Sequence, residues 1–489
     1  MIPDTSTRPI ETIGRKDEYS TLLEKSPEVR IEQDSLGELP IPKDAYWGIH
    51  TARALVNFPI TKRSISVYPE FVVALAQIKQ AAARSNKKLG LLTEFQADAI
   101  DAACQEIIEG KLHKEFKTGV ITGGAGTSQN MTANEVITNR ALELMGYEKG
   151  DYVRLSPNDH TNKGQSTNDV YPTAVKLSLA STFQRLLKEH RLLVSSLHRK
   201  GKENEAVLKM GRTQLQDAVP MTVGQEFHAW GNGLFEDQAL IQAVIEGLKE
   251  TNLGGTAIGT GIAADRGFRK LVNEELSLIL GYDLRSAYDL IGATNDTGIF
   301  MSASGALKRA AAKLSKMSND LRLLSSGPQT GFRELNLPAR QAGSSIMAGK
   351  VNPVIPEVMN QVYMTIVGTD ATVTAASEAG QLQLNAFEPV IAHSLLQSSI
   401  WLTNAIYTLR VNCIEGIEVN EAFVNENVEN SAGLITALLT RIGYKNATLV
   451  QHEAVESKKS IRQVILERGL IPEDELNELL SIENLVGLG

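Results

Sequence analysis

The chain has 489 residues, of which 42% are hydrophobic and 22% charged, and its formal net charge is −8. That length exceeds what one simple core organises, so two or three domains are expected, and the acidic balance argues against a nucleic-acid or anionic-membrane partner. Two cysteines, Cys104 and Cys413, lack CxxC spacing and fit a reducing compartment; eight scattered histidines form no HxxxH or HExxH pattern, so no metal site is expected.

In chain order, the first 30 residues are polar and carry both charge signs, Asp4, Arg8, Glu11 and Arg15 among them. A secretory signal needs an apolar centre and a mitochondrial presequence avoids acids. Residues 1–30 therefore read as a disordered extension, and a cytoplasmic location is the expectation. Helices are predicted over 70–90 and 94–110, followed by a glycine-rich turn at 123–126 that opens a helical segment at 130–145. Val175, Leu179, Phe183, Leu186, Leu187, His190, Leu193, Val194 and Leu197 fall at helical spacing with no Gly or Pro between them. A helix over 175–197 would run about 34 Å. Phe227, Trp230, Leu234, Ile241, Ile245 and Leu248 mark a second helix. Phe300, Ala303, Leu307, Ala310, Leu314, Met317, Leu321 and Leu324 alternate steps of three and four, an a/d seam for a third.

Three long helices with few strand signals predict an all-α protein with a central long-helix bundle over 166–422. An N-terminal helical domain would occupy 31–165 and a small C-terminal helical unit 423–489. The bundle would expose a wide apolar face unless other helices or subunits covered it, so oligomerisation is expected. Ser460 and Gln463 have the capping-box spacing, and Gly469 is placed as a helix stop. No apolar run approaches the ~18 residues a membrane span needs.

Three polar loops stand out. In Gly124-Ala125-Gly126-Thr127-Ser128-Gln129-Asn130, glycines before a helix expose backbone N–H groups that suit an anion. Taken alone, a tight turn with an N-cap is the plainer reading there. Ser166-Thr167-Asn168-Asp169, ahead of Pro172, offers more hydrogen-bonding side chains than capping alone requires, which suits a carboxylate. The third is Gly343-Ser344-Ser345-Ile346-Met347-Ala348-Gly349-Lys350-Val351-Asn352-Pro353, where Asn352 and Pro353 read as an N-cap and first turn. Lys350 beside a helix start opposes the macrodipole, at about 0.3–1 kcal/mol, unless an anion lies between them. A flexible linker with a solvated lysine is the plain alternative. Together the loops supply hydroxyls, amides and one lysine, an inventory suited to a small dicarboxylate and its carbanion.

The third loop resembles the signature of the aspartase/fumarase superfamily. The other two loops match that family's further conserved regions in the same order, as does Met210-Gly211-Arg212-Thr213-Gln214-Leu215-Gln216-Asp217-Ala218-Val219-Pro220. The resemblance spans about residues 30–489. It implies three domains and a homotetramer with a core of twenty helices and active sites shared between subunits. Gln214, standing where fumarases carry a histidine, together with Val354-Ile355-Pro356-Glu357 and Arg30-Ile31-Glu32-Gln33-Asp34, is similar to the aspartase branch.

The resemblance implies reversible deamination of L-aspartate to fumarate and ammonium through an aci-carboxylate carbanion, with no cofactor. Ser344 would be the base that takes the C3 proton. Thr127, Ser166, Thr167 and Ser345 would hold the β-carboxylate, whose charge grows in the transition state. Lys350 and Asn352 would hold the α-carboxylate, and Asn168, Thr213 and Gln214 would face the leaving amino group. A class II fumarase hydrating fumarate is the alternative chemistry, and a non-catalytic structural or interaction paralogue the alternative class. Two departures from the family pattern are Ala348, where most members have proline, and Thr132, where asparagine is usual.

Overall fold

A computed structural model describes residues 18–486. Contrary to the expectation for 1–30, order begins early: Glu18–Glu24 forms a helix (α1) and Val29–Asp34 a strand (β1). The part of the expected extension at 1–17 lies outside the described residues. The reason for the early order is packing. Tyr19 is buried and its hydroxyl donates to the Pro40 carbonyl at 2.7 Å, on the partner strand Gly37–Pro42 (β2). β1 and β2 pair antiparallel, Val29 opposite Pro42.

The helices then follow as α2 (Ile49–Asn57), α3 (Pro69–Lys88), α4 (Glu94–Ile108), α5 (Thr127–Leu144) and α6 (Thr167–Glu203). A hairpin of β3 (Leu208–Thr213) and β4 (Gln216–Thr222) precedes α7 (Val223–Phe235), α8 (Asp237–Gly247), α9 (Phe268–Leu280) and α10 (Leu290–Asn295). Long helices return in α11 (Gly298–Leu324), α12 (Val354–Glu378) and α13 (Glu388–Asn412), and short ones close the chain. The all-α reading holds, with two-stranded sheets as its only strand structure among the described residues.

The seams read from spacing are buried as expected. On α6, every residue from Val175 to Leu197 in the pattern is at most 4% exposed, and on α11 every seam residue is at most 6%. Burial pushes the His190 imidazole down to about 4, so it sits in the seam as a neutral ring. α6 is longer than predicted: its 37 residues span about 55 Å. The predicted second helix is two, α7 and α8, broken where Asp237 turns inward to Arg309 and Lys313 of α11. The capping box at Ser460 and Gln463 is present, and Gly469 has φ +61°, a left-handed stop.

The chain forms two compact units. The first gathers the described residues up to Gln184 with Ala243–Gly305 and Gly368–Ser399. Within it α3 packs on α4 and α9, and α5 on α4 and α2, around Phe71, Ile78, Ile100, Val136 and Phe268. The second comprises Arg185–Gln242, Ala306–Val367 and the described residues from Ile400 onward. In it Met210 of β3 shares an apolar core with Val428, Leu438, Val450, Val464 and Leu476 of the C-terminal segment. Among the described residues no helix is long and apolar enough to cross a membrane.

Candidate active site

In the first unit the glycine-rich loop delivers Thr127 as the first residue of α5. Gly124, Ala125 and Gly126 all have positive φ, +83°, +53° and +88°, a conformation glycine enters without the usual Cβ clash. At Gly126 a side chain is also excluded by space, since a Cβ would lie 2.2 Å from the Tyr171 ring. Thr127 is exposed, and its hydroxyl donates to the Gly124 carbonyl at 2.7 Å.

Ser166 lies just ahead of α6, and Thr167 and Asn168 open its first turn rather than preceding the helix as a loop. Asp169 holds that turn. Its buried carboxylate accepts the Ser166 N–H at 3.0 Å and, from the 252–257 loop, the N–H groups of Gly254 at 3.0 Å and Thr256 at 2.9 Å. Burial pushes Asp169 up to about 6 against the pull of these donors. Asn168 is gripped on both sides, donating to the Ala257 carbonyl at 2.7 Å and accepting from Asn252 at 2.9 Å on its own carbonyl. That carbonyl is free for Asn252 because Pro172, four residues on, has no N–H to give it. Thr167 Oγ1 accepts from Asn130 at 3.1 Å.

In the second unit Thr213 ends β3 and pairs with Gln216 of β4. Gln214 and Leu215 form a two-residue turn with both φ positive, +53° and +65°, the geometry that matches strand twist. The tip is exposed, but its base is tied down. Buried Lys209 bridges Glu226 and Glu334 at 2.8 Å each, Arg212 also pairs with Glu334, and Asp217 accepts from Ser431 at 2.8 Å.

The 343–352 loop ends at the start of α12, so it also meets a helix N-terminus. Its two ends are clasped: the Gly343 N–H donates to the Lys350 carbonyl at 2.7 Å, and Asn352 donates its amide N–H to the Gly343 carbonyl at 2.8 Å. The Asn352 side chain, expected as an N-cap, thus closes the loop. Ser344 Oγ accepts two backbone N–H groups, Ile346 at 3.2 Å and Met347 at 3.0 Å. Ser345, Ala348 and Lys350 are exposed. Lys350 and Asn352 line a cavity of about 770 Å³ with Arg322, Arg333 and Glu357.

The structure thus brings Thr127, Ser166, Thr167 and Asn168 into one unit and Thr213, Gln214, Ser344, Ser345, Lys350 and Asn352 into the other. Thr127, Thr167 and Asn352 sit at or just before the N-termini of α5, α6 and α12, whose free N–H groups and dipoles favour anions. Sequence reasoning missed the supports. Asp169 and Asn130 lie inside motifs already noted, but Asn252 carried no local signal. Thr132 gains an account: its hydroxyl meets Thr51 at 2.8 Å and donates to the Ser128 carbonyl at 2.9 Å, bracing the start of α2. No group of three or more His, Cys, Asp or Glu is placed to hold a metal among the described residues.

Residues 37–368 match the family model described as Lyase, and 434–487 match one described as Fumarase C C-terminus. Aspartate ammonia-lyase from Pseudomonas canavaninivorans is 53% identical over 458 residues, covering 94% of this chain and 97% of that protein. The chain belongs to the aspartase/fumarase superfamily of lyases. A second superfamily member, aspartate ammonia-lyase from Escherichia coli K12, is 50% identical over 462 residues, 94% of this chain and 97% of that one. Among solved superfamily structures, a fumarate lyase:delta crystallin from Brucella melitensis aligns with TM-score 0.90 and 48% identity, covering 94% of this chain and 99% of that one. Class II fumarase from Schistosoma mansoni aligns at 0.88 and 34%, covering 94% and 100%.

Proposed function

We propose that this protein eliminates ammonia from L-aspartate to give fumarate, as the curated relatives are named to do. The observation that carries the mechanism is the environment of Ser344. A serine is a weak base unless its alkoxide is stabilised, and two backbone N–H groups already point at its oxygen. Ser344 takes the C3 proton, and the electron pair moves into the β-carboxylate to give a doubly charged aci-carboxylate. Thr127, Ser166, Thr167 and Ser345 donate to those oxygens, and Lys350 and Asn352 hold the α-carboxylate. The pair then returns to form the C2–C3 double bond as the C–N bond breaks. Its electrons stay on nitrogen, which leaves as ammonia because it began as –NH3+. Asn168, Thr213 and Gln214 face that group. The chemistry asks for no cofactor.

Four copies would complete each site by sharing these loops between neighbours, with a three-domain division at 31–165, 166–422 and 423–489. Exposed apolar side chains on α12 and α13, Met364, Trp401 and Tyr407 among them, support assembly. The test is ultraviolet detection of fumarate from L-aspartate and, separately, from L-malate, beside a Ser344→Ala control. Fumarate from malate but not aspartate would replace this reading with a hydratase. Activity retained in the control would remove Ser344 as base.

A further inference from the structure

Behind the 166–169 turn lies a buried amide cluster that the elimination itself does not use. Lys79 on α3 is fully buried, and its Nζ donates to Asn162 Oδ1 at 2.9 Å. The same oxygen accepts from Asn130 Nδ2 at 3.3 Å and Asn134 Nδ2 at 3.1 Å. Asn130 Nδ2 also donates to Thr167 Oγ1 at 3.1 Å, and Asn162 Nδ2 donates to the Gln165 carbonyl at 3.2 Å. Burial pulls Lys79 down to about 7, with Asp169 opposing.

A carboxamide has donor and acceptor ends of nearly equal size, so a chain of amides can run in either direction. An ammonium breaks that symmetry because it only donates. Facing Lys79 in its charged form, Asn162 must present its oxygen. That oxygen can only accept, so Asn130 must present its NH2 group, and the second N–H of that group falls on Thr167. The threonine oxygen is therefore an acceptor on its inner side, and its own O–H is left to donate outward. This orientation leaves Oδ1 of Asn130 and Asn134 buried without a partner.

We infer that Lys79 is a positioning residue that sets the direction of hydrogen bonding through Asn162 and Asn130, so that the Thr167 hydroxyl meets the substrate carboxylate as a donor. The inference rests on the reading of Thr167 as carboxylate-binding. Turned the other way, Thr167 would offer a lone pair to a carboxylate whose negative charge is growing.

Asn130→Asp and Asn134→Asp test it as a pair. Both change one buried amide on α5 into a carboxylic group beside the same Asn162 oxygen, but Asn130 alone touches Thr167. Aspartate turnover should fall about 100-fold in Asn130→Asp, the scale of one lost oxyanion donor, chiefly in kcat and as far as in Thr167→Val. Asn134→Asp should stay within about threefold of the parent at a similar change in thermal midpoint. Equal losses in the two variants would overturn the inference and leave a structural cluster. Lys79→Met, which keeps the bulk and removes the donor, is the second readout should Asn130→Asp not fold. It should lose about tenfold in kcat, and an unchanged kcat overturns the inference. A parent protein that makes no fumarate from aspartate would instead bring down the functional reading itself.

Discussion

The two hydroxyl-bearing segments at 166–169 and 343–352 are built in opposite ways. The first is held from behind by groups of other elements: two N–H groups of the 252–257 loop on Asp169, two partners on Asn168 and one on Thr167. The second bonds mainly to itself, and Ser345 through Val351 are exposed. A binding surface for a developing charge is most effective when its donors are already oriented, because no reorganisation remains to be done at the moment of reaction. A base carried on a segment tied to its own ends can instead come and go with substrate, at the cost of ordering that segment in each cycle.

The contrast gives graded expectations. Ser344→Ala should lower turnover by about 10³-fold while leaving the thermal midpoint unchanged, since little packs on that segment. A large loss of stability would show that the 343–352 loop is a structural element and break the contrast. Thr167→Val should cost about 100-fold in kcat with a smaller change in KM. A purely KM effect would mean that Thr167 binds ground state and transition state alike. Asp169→Ala should be the reverse of the serine variant, destabilising by about 3 kcal/mol because buried N–H groups lose their shared acceptor. Denaturant titration measures it, and a change under about 0.5 kcal/mol would mean that the turn keeps its shape unaided. Smallest of all, Ala348→Pro should raise turnover about two- to fivefold by restricting the open loop, equivalent to about 0.4–1 kcal/mol. Equal or lower turnover would show that closure of this segment does not limit the rate.

Elements whose burial repeats along one face were readable from the chain alone. The seams of α6 and α11 are examples, because spacing by three and four places every apolar residue on one side. α12 and α13 were not, since their faces mix Thr, Ser, Gly and exposed apolar residues such as Met364 and Trp401. The hairpin of β3 and β4 was missed because Gly211 and Pro220 interrupt its alternation, while long-range ion pairs at Lys209 and Arg212 hold it. The same division runs through the candidate site. Residues proposed to face substrate sit in compact polar motifs, whereas Lys79, which bonds Asn162, and Asn252, which bonds Asn168, come from far along the chain and leave no mark in local sequence.

Pro172 carries a consequence for how accurately this machinery can be made. A helix about 55 Å long that slipped by one residue would swing every side chain by about 100°, carrying both its apolar seam and its first turn out of place. The pyrrolidine ring, which leaves the Asn168 carbonyl without a helical donor, and the Asn252 amide, which takes that carbonyl up, pin the first turn at one point, like a key in a slotted shaft. That anchor keeps Thr167 and Asn168 in the alignment on which their proposed contact with substrate depends.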